Sequence, residues 1–130
     1  MRDFQRRRVY AADDEISAGR WLSLDGTQAY VDKILRSQWW RKRCAIRKVD
    51  VSLNKGVWSW ADRKSSYTGY IKFAPGVGYR ERDILHELSH VYCTPSKDPD
   101  NSHGRHWAGA YYALTLRFRG QKAARGLVAG

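Results

Sequence analysis

Apolar positions Tyr30, Val31, Ile34 and Leu35 recur at helical spacing, which predicts a helix over residues 26–39 capped by Asp25 or Thr27. Residues 46–53 alternate apolar and polar (Ile46, Val49, Val51 and Leu53, with one irregular step) and predict a strand, after which Asn54, Lys55 and Gly56 supply turn chemistry. Residues 57–61 and 67–73 predict two further strands joined by the polar stretch 62–66, and the three together predict an antiparallel meander. Pro75 and Gly76 end the last strand. A helix then starts at Tyr79 or Arg80 and runs through Tyr92, where Thr94 and Pro95 stop it because proline cannot continue a helix. A polar loop over 96–101 leads to Ser102, a good N-cap for a last helix reaching about Phe118, before Gly120. Residues 6–12 read as a short strand or the end of a helix. The order helix, strands, helix, helix predicts an α+β fold, with helices packed on one face of a small antiparallel sheet of three or four strands.

A length of 130 residues, 42% hydrophobic with 6 Trp, predicts a single domain with one core. Residues from about 121 onward are small and basic, and read as a loose tail. Early arginines (Arg2, Arg6, Arg7, Arg8) are followed by no apolar run, and no stretch approaches membrane-spanning length. Only Cys44 and Cys93 are present, which is neither a disulfide framework nor a separate four-cysteine zinc module. A cytoplasmic location with no membrane partner is the expectation; the oligomeric state is not legible. The net charge of +11 suits an anionic partner such as nucleic acid, but the basic residues are spread over several segments and equally suit a solvated surface.

The residues that carry chemistry begin at His86 and His90. Four residues apart on a helix, their imidazoles project from one face one turn apart, and both can reach one zinc ion at about 2.0–2.1 Å. Glu87 stands beside His86, placed to act as the general base that activates a zinc-bound water. Ile84, Leu85 and Leu88 give the same helix an apolar wall, and all four histidines of the chain fall between His86 and His106. No glutamate follows Glu87, which excludes a downstream glutamate ligand. The long metzincin pattern fails at Cys93 and Ser96, where it needs glycine and histidine. His103, His106, Asp98, Asp100 and Cys93 remain as third ligand. His103 ranks first and His106 second, since they stand three residues apart at the start of the last helix with Gly104 allowing close backbone approach.

At His86-Glu-Leu-Ser-His90, followed by Ser102-His103-Gly104-Arg105-His106-Trp107, the chain resembles the SprT-like zincin metallopeptidases. The resemblance implies a minimal zincin-like fold with the motif on its central helix, zinc as cofactor, His103 as third ligand and Trp107 as a packing residue. With Arg6-Arg7-Arg8-Val9-Tyr10-Ala11-Ala12 and its overall arrangement, most of the chain looks still more like a family of small predicted metallohydrolases of actinobacteria and their phages. Two departures stand out. The cysteine-rich zinc ribbon that often follows a SprT-like core is missing, and His106 occupies a position where that pattern more often has an acidic or neutral residue.

The expected activity is peptide hydrolysis, with Glu87 moving the proton and His106, Tyr111, Tyr112 or Tyr79 donating to the oxyanion. The strand over 67–73 either binds an extended protein or peptide substrate by strand addition or packs Ile71 and Phe73 inward as an ordinary sheet strand. Alternatives are a basic nucleic-acid-associated protein whose zinc is structural, using Trp39 and Trp40 or Trp58 and Trp60 for stacking, and a non-peptidase zinc amidohydrolase. Trp58 and Trp60 share one sheet face, and filling it is their simplest role.

Overall fold

The structure, a computed structural model, describes residues 19–75, 79–93 and 105–129. Helix α1 spans Leu24–Arg36 and the short α2 Gln38–Arg43. Strands β1 (Lys48–Leu53), β2 (Trp60–Arg63) and β3 (Thr68–Phe73) follow, then helices α3 (Glu81–Tyr92), α4 (Arg105–Arg119) and α5 (Gln121–Ala129). The predicted α+β class holds. The segment 6–12, the loop 96–101 and the Ser102 cap lie outside the described residues. Among the described residues no helix is long and apolar enough to cross a membrane.

Several local expectations are corrected. The first helix is capped by Ser23, whose Oγ accepts from the Gly26 amide at 2.9 Å, and not by Asp25 or Thr27. It is broken at Ser37, whose hydroxyl donates to the Ile34 carbonyl at 2.6 Å and accepts from the Trp40 amide at 3.2 Å. Ser37 thus ends one helix and caps the next, an event that apolar spacing alone conceals. The segment read as a loose tail is helical: after Gly120 (φ +98°) the chain turns into α5, which buries Ala124 against α4.

The sheet is mixed, with strand order β1-β3-β2, in place of the expected antiparallel meander. β2 and β3 pair antiparallel, Ala61 facing Ile71, while β1 pairs parallel to β3, Val51 facing Ile71. The strand directions alternate as a meander's do, but residues 54–59 carry the chain past the position beside β1. Two strand spacings are about 10 Å, within reach of a six-residue connection. The Asn54 side chain holds that connection by donating to the Trp58 carbonyl at 2.6 Å. β3 is therefore central, with both edges paired, and strand addition at residues 67–73 is excluded; Ile71 and Phe73 pack inward, fully buried. The outer edge of β1 is in turn covered by Gln28 of α1, which donates to the Val49 carbonyl and accepts from the Val51 amide, both at 2.8 Å.

Helix α3 lies against β2 and β3. Gly69 permits this approach, since a Cβ there would stand 3.0 Å from both a Val91 methyl and the Asp62 carbonyl oxygen. Ile84, Leu85, Leu88 and Val91 of α3 join Val31, Ile34 and Leu35 of α1 and Leu114 of α4 in one core. Trp40 completes it from α2, its indole N–H donating to the Ile46 carbonyl at 2.8 Å. The pair expected to fill a sheet face does not: Trp58 and Trp60 are 62% and 60% exposed. Trp60 sits opposite the exposed Lys72, on the face turned away from the helices.

Candidate metal centre

Helix α3 brings His86, Glu87 and His90 together at the centre of the fold. Its inner face must bury Ile84, Leu85, Leu88 and Val91, and at 3.6 residues per turn that requirement sets the direction of the histidine face. The two imidazole centroids are 5.7 Å apart with planes at 70°. Rings sharing a tetrahedral ion at about 2.0–2.1 Å place their centroids roughly 5–6 Å apart, and the observed separation falls in that range. The Glu87 Oε2 lies 3.9 Å from the His86 Nε2, and the two side chains are only 13% and 8% exposed. A carboxylate so withdrawn from water, beside an imidazole nitrogen, is what a protected proton acceptor requires.

Trp107 of α4 walls the pair. Its ring meets the His86 ring edge-on at 4.7 Å and stacks on His90 at 5.4 Å, 23° from parallel. Its indole N–H donates to the His86 carbonyl at 3.2 Å, tying α4 to the motif helix across the site. Tyr111, one turn later, reaches the His86 ring at 5.5 Å, and its hydroxyl donates to the Arg82 carbonyl at 3.5 Å. The packing role expected of Trp107 is thus present, together with a hydrogen bond that residue type did not announce.

The remaining predicted residues fall in different places. His103, Asp98 and Asp100 lie outside the described residues. His106 is exposed on the first turn of α4, and Cys93 follows the last turn of α3, where burial pushes its thiol pKa up against the lowering effect of Arg63. Among the described residues no third His, Cys, Asp or Glu completes a metal-holding group with His86 and His90. Tyr79 precedes α3 and packs edge-on against Phe73 at 5.4 Å; Tyr112 is exposed. Of the four proposed oxyanion donors, only Tyr111 is in ring contact with a motif histidine among the described residues.

Sequence reasoning missed Arg63. From β2, its Nε donates to the Val91 carbonyl at 2.9 Å and its Nη2 to the Tyr92 carbonyl at 3.0 Å, closing the C-terminal end of α3. The same Nη2 reaches the Cys44 sulfur at 3.7 Å. A cation on the terminal carbonyls of a helix also opposes its macrodipole favourably. Arg63→Met keeps the apolar stem and removes these donors. It should cost about 2–3 kcal/mol in urea unfolding, as charged hydrogen bonds do. A loss below about 0.5 kcal/mol would contradict this capping role.

No protein-family model, curated protein or solved structure matches this chain.

Proposed function

We propose that the protein is a zinc-dependent hydrolase, acting as a peptidase, in which His86 and His90 hold the metal and Glu87 is the general base. The observation that carries this reading is the shielded pairing of two imidazoles at ion-sharing separation with a carboxylate between them in sequence. His103, favoured by its place beside Gly104 and by the SprT-like resemblance, is the proposed third ligand. Zinc, when bound, polarises the scissile carbonyl and makes an attacking water more acidic. Glu87 takes that water's proton and passes it to the departing amine. Trp107 holds both imidazoles in place through its ring, and Tyr111, whose ring is beside His86, would serve as oxyanion donor only by releasing the Arg82 carbonyl that its hydroxyl holds. An amidohydrolase acting on small amides would use the same residues, and the choice of a peptide rests on the resemblance.

The test is metal content measured together with cleavage. Protein purified without added metal should carry one zinc per chain, and His86→Ala and His90→Ala should each lose it. A peptide library should be cut by the zinc form, left intact after chelation, and cut again when zinc is restored. Stoichiometric zinc without any metal-dependent cleavage would overturn the hydrolase reading, and absence of zinc binding would overturn the site itself.

A further inference from the structure

Two stretches of this chain carry basic residues and no acidic ones. Between Asp32 and Asp50 stand Lys33, Arg36, Arg41, Lys42, Arg43, Arg47 and Lys48; after Asp100 stand Arg105, Arg117, Arg119, Lys122 and Arg125. In sequence they lie far apart. In the structure the first stretch touches the end of α4, where Trp39 of α2 packs edge-on against Phe118 with ring centroids 5.6 Å apart; Arg105 stands at the other end of that helix.

Each ring carries a guanidinium. Arg43 lies 4.6 Å from the Trp39 centroid, and its Nη1 also donates to the Trp39 carbonyl at 2.9 Å; Arg117 lies 5.3 Å from the Phe118 centroid. Stacking of this kind lowers the entropy lost when an arginine is fixed on a partner. Arg36 at the end of α1, Arg41 and Lys42 on α2, and Arg47 just after it are exposed, the Arg47 guanidinium also donating to the Ile46 and Arg41 carbonyls at 3.3 Å. Among the described residues none of Arg36, Arg41, Lys42, Arg43, Arg47 and Arg117 makes a salt bridge with a carboxylate. Lys48 differs, since Asp50 stands 4.0 Å away. Nothing in the core requires so many like charges at one corner; their mutual repulsion is a standing cost that a polyanion would relieve.

The aromatic rings also indicate the kind of polyanion. Trp39 is half-buried, stacked on Tyr92 at 6.1 Å and covered by Arg43, and Phe118 is occupied by Trp39 and Arg117. Single-strand binding relies on open rings for bases to stack on, and these rings are taken. What remains to offer is guanidinium and ammonium groups for phosphates, the sequence-independent mode of duplex recognition. We infer that the corner formed by the end of α1, α2 and the C-terminal end of α4 docks the phosphate backbone of double-stranded DNA. This surface is distinct from the metal centre, but Tyr92, which supports Trp39, is two residues beyond His90. DNA bound here would lie near the C-terminal end of the motif helix.

The experiment is fluorescence anisotropy of the full chain with a labelled 20-base-pair duplex across a salt series. Binding should be independent of sequence, and with four to five phosphates engaged the slope of log affinity against log salt should be about −4. Arg41→Glu/Lys42→Glu should weaken binding by about tenfold or more and reduce the slope by about 2. The charge-matched control Lys55→Glu/Lys72→Glu, on other exposed parts of the surface, should change affinity by less than about threefold. Arg41→Gln/Lys42→Gln, which disturbs folding least, should reduce the slope by the same amount with a smaller loss of affinity. Equal weakening by the two Glu pairs would mean net charge alone binds DNA and would overturn the proposal. So would no binding at low salt, or tighter binding of a single strand of equal length.

Discussion

Glu87→Gln is expected to lower peptide turnover by about two to four orders of magnitude while zinc content stays at the wild-type level. That corresponds to about 3–5 kcal/mol of lost transition-state stabilisation. Glutamine matches glutamate in size and keeps a hydrogen-bonding oxygen, but an amide cannot accept the proton that water must give up. The side chain is mostly withdrawn from solvent, 3.9 Å from the His86 Nε2, so bulk buffer is poorly placed to substitute for it. Among the described residues the other carboxylates of α3, Glu81 and Asp83, belong to its first turn. Asp83 sits between Arg80 at 3.6 Å and Arg82 at 3.5 Å, and Glu81 is tied to the Arg20 amide at 2.9 Å. The measurement pairs metal analysis with kcat/KM on the best library peptide. A Glu87→Gln protein that keeps its zinc and cleaves at the wild-type rate would remove the general-base assignment.

Trp107→Ala should be among the most damaging single changes to stability, at about 3–5 kcal/mol. The indole is 1% exposed, larger than almost any other buried side chain here, and in contact with His86, His90 and Tyr111. Truncation leaves a cavity between α3 and α4 and strips the His86 carbonyl of its indole donor. Against a typical total of about 5–15 kcal/mol, that loss is a large fraction and would leave a domain at the lower end of the range only marginally folded. Trp107→Phe separates the two roles. It keeps most of the apolar contact, should cost about 1–2 kcal/mol for the lost hydrogen bond and volume, and should weaken zinc binding because His90 loses part of its stacking surface. Urea unfolding with and without zinc reads both effects. A Trp107→Ala protein within about 1 kcal/mol of wild type would show that the wall is dispensable.

The motif helix was legible because everything that defines it is local. His86, Glu87 and His90 lie within five residues, the apolar positions around them follow one period, and Glu81 and Asp83 enrich its first turn with acid. The first and third strands were legible for the same reason, as was the α+β class, whereas the second, expected over 57–61, lies at Trp60–Arg63. The break at Ser37 was not, because a serine in a helical period reads as an exposed position until its hydroxyl is seen on the Ile34 carbonyl. Alternation places Trp58 and Trp60 on one sheet face without saying which face is covered. The helices took the other one.

Sequence by itself determined which residue types stand at the candidate site, the α+β class, and the excess of positive charge, all properties of residue type and short-range period. Tertiary structure alone decided who stands beside whom. It placed β3 between β1 and β2, closing it to strand addition, and sent Arg63 to the carbonyls of Val91 and Tyr92, 28 and 29 residues away. It stacked Trp107 on His90 and joined two distant basic stretches through Trp39 and Phe118. The physical reason is common to all four. Local pattern specifies which side of an element is apolar, whereas the neighbour that covers that side is selected by the packing of the whole core and by which distant donors can satisfy the carbonyls and rings left at its ends.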